Sequence, residues 1–161
     1  MKSRAQAGFT LVELIVVIVI LGILAAVAVP RFMGLETEAR VAAVKSMGGT
    51  LKSAANMAHG VCMAQACANN AVLVIEGQNI TFVFGYPNNA TVGRLVQSTE
   101  GFTPNGGGNQ FAKNGSATAS CWVQYNQAAA ANAAPTISYQ AGTITNAATE
   151  TTVNTALRTQ C

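Results

Sequence analysis

From Leu14 to Val29 every residue is apolar or glycine, and Phe9, Leu11 and Val12 extend the run upstream, so that Glu13 is the only ionisable side chain between Phe9 and Val29. About 21 residues at a rise of roughly 1.5 Å each cross the hydrocarbon core of a bilayer as a helix. A carboxylate in such a run costs on the order of 2.5 to 3.5 kcal/mol at a helix centre, and less near its end. Past Pro30 the apolar positions thin into a stripe at Phe32, Leu35, Ala39, Ala43, Met47, Leu51, Ala54 and Ala58, spaced by three and four residues, with Arg31, Arg40, Lys45 and Lys52 mostly off it. That spacing predicts an amphipathic helix. Glu36 and Arg40, acid first and four apart, add a few tenths of a kcal/mol. One helix from Phe9 to about His59 would be roughly 75 Å long, with a first half that needs lipid or other apolar helices and a second half that needs a folded domain. Gly22, Pro30 and the pair Gly48-Gly49 weaken it. Either the stretch from Gly22 to Pro30 is kinked or unwound, or Pro30 marks where the helix leaves the membrane.

From Gly60 onward the period changes. Ala71 to Ile75 and Ile80 to Phe84 are β-branched and aromatic runs separated by Glu76-Gly77-Gln78-Asn79, which reads as a hairpin. Tyr86-Pro87-Asn88-Asn89 turns the chain, Ala90 to Gln97 reads as a short helix or an irregular segment, and Pro104 to Asn109 reads as a flexible loop. Cys121 to Tyr125 and Thr136 to Tyr139 are two more strands, joined by Ala128 to Ala134, a surface connection too short to be helical unaided and ended by Pro135. The expected fold is α+β: a long N-terminal helix packed on a four-stranded antiparallel sheet, with a weakly patterned tail, Gly142 to Gln160.

Charge and composition narrow the partners. The chain has 161 residues and a formal net charge of +3, enough for one modest core plus an appendage. Beyond residue 60, Arg94, Lys113 and Arg158 balance Glu76, Glu100 and Glu150. So sparse a set makes no basic stripe, and nucleic acid is not expected as a partner. Cys62, Cys67, Cys121 and Cys161 all follow the apolar segment, where an exported chain meets an oxidising compartment. Of three possible connectivities we favour Cys62-Cys67, a small local loop, with Cys121-Cys161 closing the chain.

Met1 to Gly8 is basic at Lys2 and Arg4 and free of acids, so the positive-inside tendency holds it in the cytoplasm. A secretory signal cut after Ala28 would release a soluble binding domain; Glu13 within the run and the helical pattern continuing past the cut oppose that reading. No enzyme is expected: with one histidine and no aspartate a hydrolytic triad lacks members, and no glycine-rich loop precedes a helix as phosphate binding requires. His59, Cys62 and Cys67 lack the paired knuckles of a zinc site, a calcium loop is missing, and no metal or cofactor is expected. Trp122 and Tyr125 read as packing residues.

Gly8-Phe9-Thr10-Leu11-Val12-Glu13, behind a short basic leader and ahead of an apolar helix, resembles the prepilin signature of type IV pilins. The resemblance implies that a membrane peptidase cuts after Gly8 and N-methylates Phe9, giving a leader 1–8, a membrane or filament-core helix 9–30, its amphipathic continuation 31–60 and a globular domain 61–161. It also implies an inner-membrane precursor that assembly machinery builds into an extracellular homopolymer for adhesion to host, abiotic or cell surfaces. Glu13 would pair with the amino terminus of a neighbour's Phe9, and Gly22 and Pro30 would bound a stretch that unwinds in the filament. The order of local cysteine pair, strand pair, Phe84-Gly85-Tyr86-Pro87, Cys121-Trp122-Val123-Gln124-Tyr125 and closing cysteine is similar to the mannose-sensitive haemagglutinin class of type IVa pilins, implying a major structural subunit. A secretion pseudopilin or a minor pilin is the alternative within the family.

Overall fold

The computed structural model describes residues 9–115, 121–140, 142–143 and 147–161. The chain falls into two compact units, Met1–Glu36 and Thr37–Cys161. Helix α1 spans Leu11–Ala64 with Pro30 inside it. Over Gly22 to Pro30, which the sequence leaves either kinked or unwound or as the point of exit from the membrane, the single chain is continuously helical. Proline removes one hydrogen bond, and the Leu- and Ala-rich turns on both sides propagate the helix cooperatively past that single loss. The helix also runs beyond His59, through Val61 and Cys62 to Ala64.

In the first unit the described large apolar side chains from Phe9 to Leu35 are all exposed, the least of them, Ile15, at 47%. In the second unit α1 buries Val41, Val44, Met47, Leu51, Ala55, Ala58 and Cys62. The expected stripe holds at Met47, Leu51 and Ala58, which are buried, and is corrected elsewhere: Phe32, Leu35 and Ala39 are exposed, and Val41, Val44 and Ala55 join the buried face. The 3.6-residue period was read correctly, but several rotations of one apolar stripe satisfy so alanine-rich a helix, and packing against the sheets selects one.

Among the described residues eight strands form two sheets, where four strands in one sheet were expected. The first has the order β1 (Val72–Ile75), β2 (Gln78–Val83), β3 (Tyr86–Pro87), all antiparallel. Its hairpin turns on Glu76 and Gly77 alone, both with positive φ (50° and 77°), the twist that suits a two-residue connection. Gln78 and Asn79 therefore pair with Ile75 and Val74 rather than forming part of the turn. The second sheet has the order β4 (Phe102–Asn105), β5 (Gln110–Lys113), β6 (Trp122–Asn126), β7 (Thr136–Tyr139), β8 (Gly142–Thr143), again antiparallel. The expected flexible loop at Pro104 to Asn109 narrows to a turn over Gly106 to Asn109, its first two residues being strand: Pro104 pairs with Phe111 and Asn105 with Gln110. Pro104 fits because β4 is an edge strand, where a missing amide donor leaves no ladder bond unmade. Between the sheets Val92–Leu95 makes a 3₁₀ turn.

Two cores follow. Ala58, Cys62, Ile80 and Phe82 close the space under the first sheet. The larger core joins α1, through Val44 and Leu51, to Phe111, Val123, Tyr125 and Tyr139 of the second sheet and to Val153 and Leu157 of helix α2 (Ala147–Gln160). Each fully buried Leu or Phe here contributes about 1.5 to 3 kcal/mol. The Tyr125 hydroxyl, wholly buried, donates to the Pro87 carbonyl at 2.8 Å and so ties the second sheet to β3. Asn89 and Gln127 exchange amide hydrogen bonds beside it, 2.9 and 2.8 Å. Gly48 has a packing reason: a Cβ there would overlap the Tyr139 hydroxyl.

Candidate functional site

The chemistry of the first unit lies in its opening turn. Thr10 precedes α1, and its backbone N–H and its hydroxyl both donate to the Glu13 carboxylate, Oε2 at 2.9 and 2.8 Å. The Glu13 N–H lies 3.3 Å from the Thr10 hydroxyl oxygen, which accepts from it. This is a capping box, in which an N-cap threonine and a glutamate three residues on satisfy two of the helix's unpaired donors reciprocally. The Thr-x-x-Glu spacing before an apolar run signals it in the sequence, and our reading of the residues passed over it. Phe9 stands immediately outside the cap and is 91% exposed. Gly8 lies outside the described residues, as does the leader.

Below the cap the helix carries one long apolar surface of exposed side chains. It is long and apolar enough to cross a membrane. Gly22 has no atom within 4 Å of where a Cβ would stand, and Pro30 is exposed. These two residues are not brought to Phe9 and Glu13; they lie further along the same helix. What the surface can do chemically is limited and definite: enter lipid, or pack against similar helices, with one carboxylate near its start.

The other candidate residues are structural in their surroundings. Cys62 is bonded to Cys67 and Cys121 to Cys161, with no free cysteine among the described residues. The second bond joins the start of β6 to the residue after α2, closing a separation of 40 residues. His59 does not face a metal-binding group: its Nδ1–H donates to the Gly85 carbonyl at 2.7 Å, and its ring stacks on Tyr86 with centroids 4.0 Å apart. Lys45 and Glu150 pair at 2.6 Å, and Arg158 and Glu38 pair through Nε at 2.6 Å and a second guanidinium nitrogen at 3.2 Å, clamping α2 to α1 from both ends. Two tyrosines are held neutral. Burial pushes the Tyr125 hydroxyl far above its ordinary range, with the nearby Tyr86 adding to the effect. Burial and then the Glu150 carboxylate raise Tyr139.

Comparison with known proteins finds a family match at this same end of the chain. Residues 3–29 match the prokaryotic N-terminal methylation motif. A type II secretion system core protein G of Pseudomonas aeruginosa is 53% identical over 45 residues, 28% of this chain and 32% of the relative. A type IV narrow pilus major component of Thermus thermophilus is 53% identical over 47 residues, 29% and 40% of the two chains. A fimbrial protein of Moraxella nonliquefaciens is 37% identical over 93 residues, 54% and 60%. The chain thus spans less than two thirds of the length of these relatives. No solved structure matches it.

Proposed function

We propose that this chain, a member of the type IV pilin family by its methylation motif and its fimbrial relatives, is the major subunit of an extracellular pilus used for attachment. Its precursor is held in the inner membrane by the first half of α1. A prepilin peptidase removes residues 1–8 by cutting after Gly8 and methylates Phe9, and the apolar half of α1 then leaves lipid to pack among copies of itself. The observation that carries this reading is the exposed apolar surface of α1 from Leu11 to Val29, with Glu13 as its single ionisable group.

The energetics explain why that group matters. Moving an apolar helix from lipid to a bundle gains no hydrophobic energy, because lipid tails are as apolar as leucine; close packing and polar pairing drive the association. In the uncut precursor the Glu13 carboxylate is satisfied by Thr10. After the cut, the amino group of Phe9 is a cation among apolar side chains, and a neighbour's Glu13 is the carboxylate that makes it tolerable. A buried charge left alone costs several kcal/mol, so the pair selects one axial register for an incoming subunit. Gly22 and Pro30 bound the stretch most easily unwound as that register forms, since one lacks a side chain and the other a hydrogen bond. The globular domain, closed by Cys121-Cys161, supplies the adhesive outer surface.

A second reading has its own support, because the core protein G sequences of Pseudomonas aeruginosa and Aeromonas hydrophila match this chain at 53% and 59% identity, over 45 and 39 residues. One pair of measurements decides. Terminal analysis of the mature protein should find methylated Phe9; a terminus at Val29 would overturn the pilin reading. Electron microscopy of cells lacking the chain should show loss of surface fibres, whereas intact fibres with failed protein secretion would establish the second reading.

A further inference from the structure

The second unit carries an open groove of about 1170 Å³ along the exposed side of α1. Its floor is a helix face of mostly small residues, Ser53 and Gly60 among them, with Met57 standing 73% exposed between them; Ile75, Glu76 and Leu95 line it from beyond the helix. Small residues on a helix face let another backbone approach closely. Glu76, exposed at the tip of the β1–β2 turn, is the only charged residue lining the groove. The chemistry calls for an apolar plug with a cation beside it.

Resting on the pilin reading above, we infer that this groove takes the segment Arg31 to Leu35 of a second copy, with Arg31 facing Glu76 and Phe32 and Leu35 seated beside Met57. Phe32 and Leu35 are 66% and 62% exposed, Arg31 is exposed too, and the spacings of three and four residues put all three on one helix face. The exposed side chains from Leu11 to Val29 include no cation, and the amino group that the cut frees on Phe9 is taken by a neighbour's Glu13, so this stretch answers the groove's apolar lining but not its charge. The segment is also continuous with the surface through which copies associate. Plug and floor belong to the same helix. With plug and floor at different places in one chain, the contact runs head to tail from copy to copy. Such a head-to-tail contact is heterologous, the kind that propagates as a helical filament.

The test uses pili assembled from the full chain. Phe32→Cys combined with Met57→Cys should give, on mild oxidation of sheared pili, a ladder of oligomers that collapses on reduction. Phe32→Cys with Met63→Cys, an exposed position outside the groove, should give none. Independently, Arg31→Glu or Glu76→Arg alone should lower pilus yield roughly fivefold, the scale of one exposed ion pair, and the two together should restore it. Pili of normal yield with no ladder, or charge reversals without effect and without rescue, would overturn the groove contact and leave the pilin reading standing. A parent chain that forms no fibres would overturn both.

Discussion

Glu13 has two partners within reach of its chemistry at different stages, and the substitutions that separate them are available. As found here its carboxylate completes a capping box with Thr10, a role worth about 0.5 to 2 kcal/mol to the helix start. In the proposed filament it faces an ammonium. Glu13→Gln keeps an acceptor for the Thr10 donors and removes the charge; Glu13→Leu removes both. We expect both variants to stay in the membrane fraction and both to reduce pilus yield by about tenfold or more, since an uncompensated buried cation costs more than the roughly 1.4 kcal/mol that corresponds to a factor of ten. Normal pili from Glu13→Gln, counted by electron microscopy, would reduce Glu13 to a helix cap.

At the scale of elements, the C-terminal segment is where the staple matters most. Helix α2 contributes Val153 and Leu157 to the larger core and two ion pairs to α1, and Cys161 bonds its end to β6. Closing a loop of about 41 residues contributes roughly 4 kcal/mol on the chain-entropy view, while exposed ion pairs add about 0 to 1 kcal/mol each. Cys161→Ser should lower unfolding stability by about 2 to 5 kcal/mol, read from denaturant titration in detergent. A change below about 1 kcal/mol would mean that the apolar contacts of α2 hold it without the bond. The helix itself was missed in the sequence because Ala147 to Gln160 is rich in threonine and asparagine, weak helix formers. Its buried apolar anchors among the described side chains are Val153 and Leu157, one turn apart. Strands β4 and β5 were missed for a similar reason: each offers one phenylalanine beside glycine- and asparagine-rich residues, and only pairing with β6 makes them strands.

For the molecule as a whole, pH reports on the core. Tyr125 and Tyr139 are raised by burial, so the folded state keeps their protons above pH 10 while the unfolded chain releases them. Fewer protons bound in the unfolded state means that stability falls as pH rises. Below about pH 10, the ordinary tyrosine value, both contributions are fully present. Above it, each group should remove up to about 1.4 kcal/mol per pH unit until its folded-state value is reached. Unfolding followed by far-UV circular dichroism between pH 8 and 11.5 should show this decline, and Tyr139→Phe should reduce its slope. A flat profile for the parent chain would mean that the two hydroxyls reach solvent.

The apolar run with its lone carboxylate, the switch from helical to strand period near Gly60, and the favoured cysteine pairing are all visible in the chain by itself. They depend on properties that neighbours in sequence settle: hydropathy, periodicity and short loop closure. The rotation of α1 about its axis, the division of the strands into two sheets and the place of α2 were decided by tertiary contact. An alanine-rich helix presents several equivalent stripes, and β4, β5 and α2 have too little local preference to specify themselves. Even Gly48, weak in the helix on propensity alone, is explained only by the Tyr139 hydroxyl that occupies its missing side chain's space. The function lies mainly with the first kind of information, because the exposed half of α1 makes no packed core of its own and its pattern alone states what it must meet.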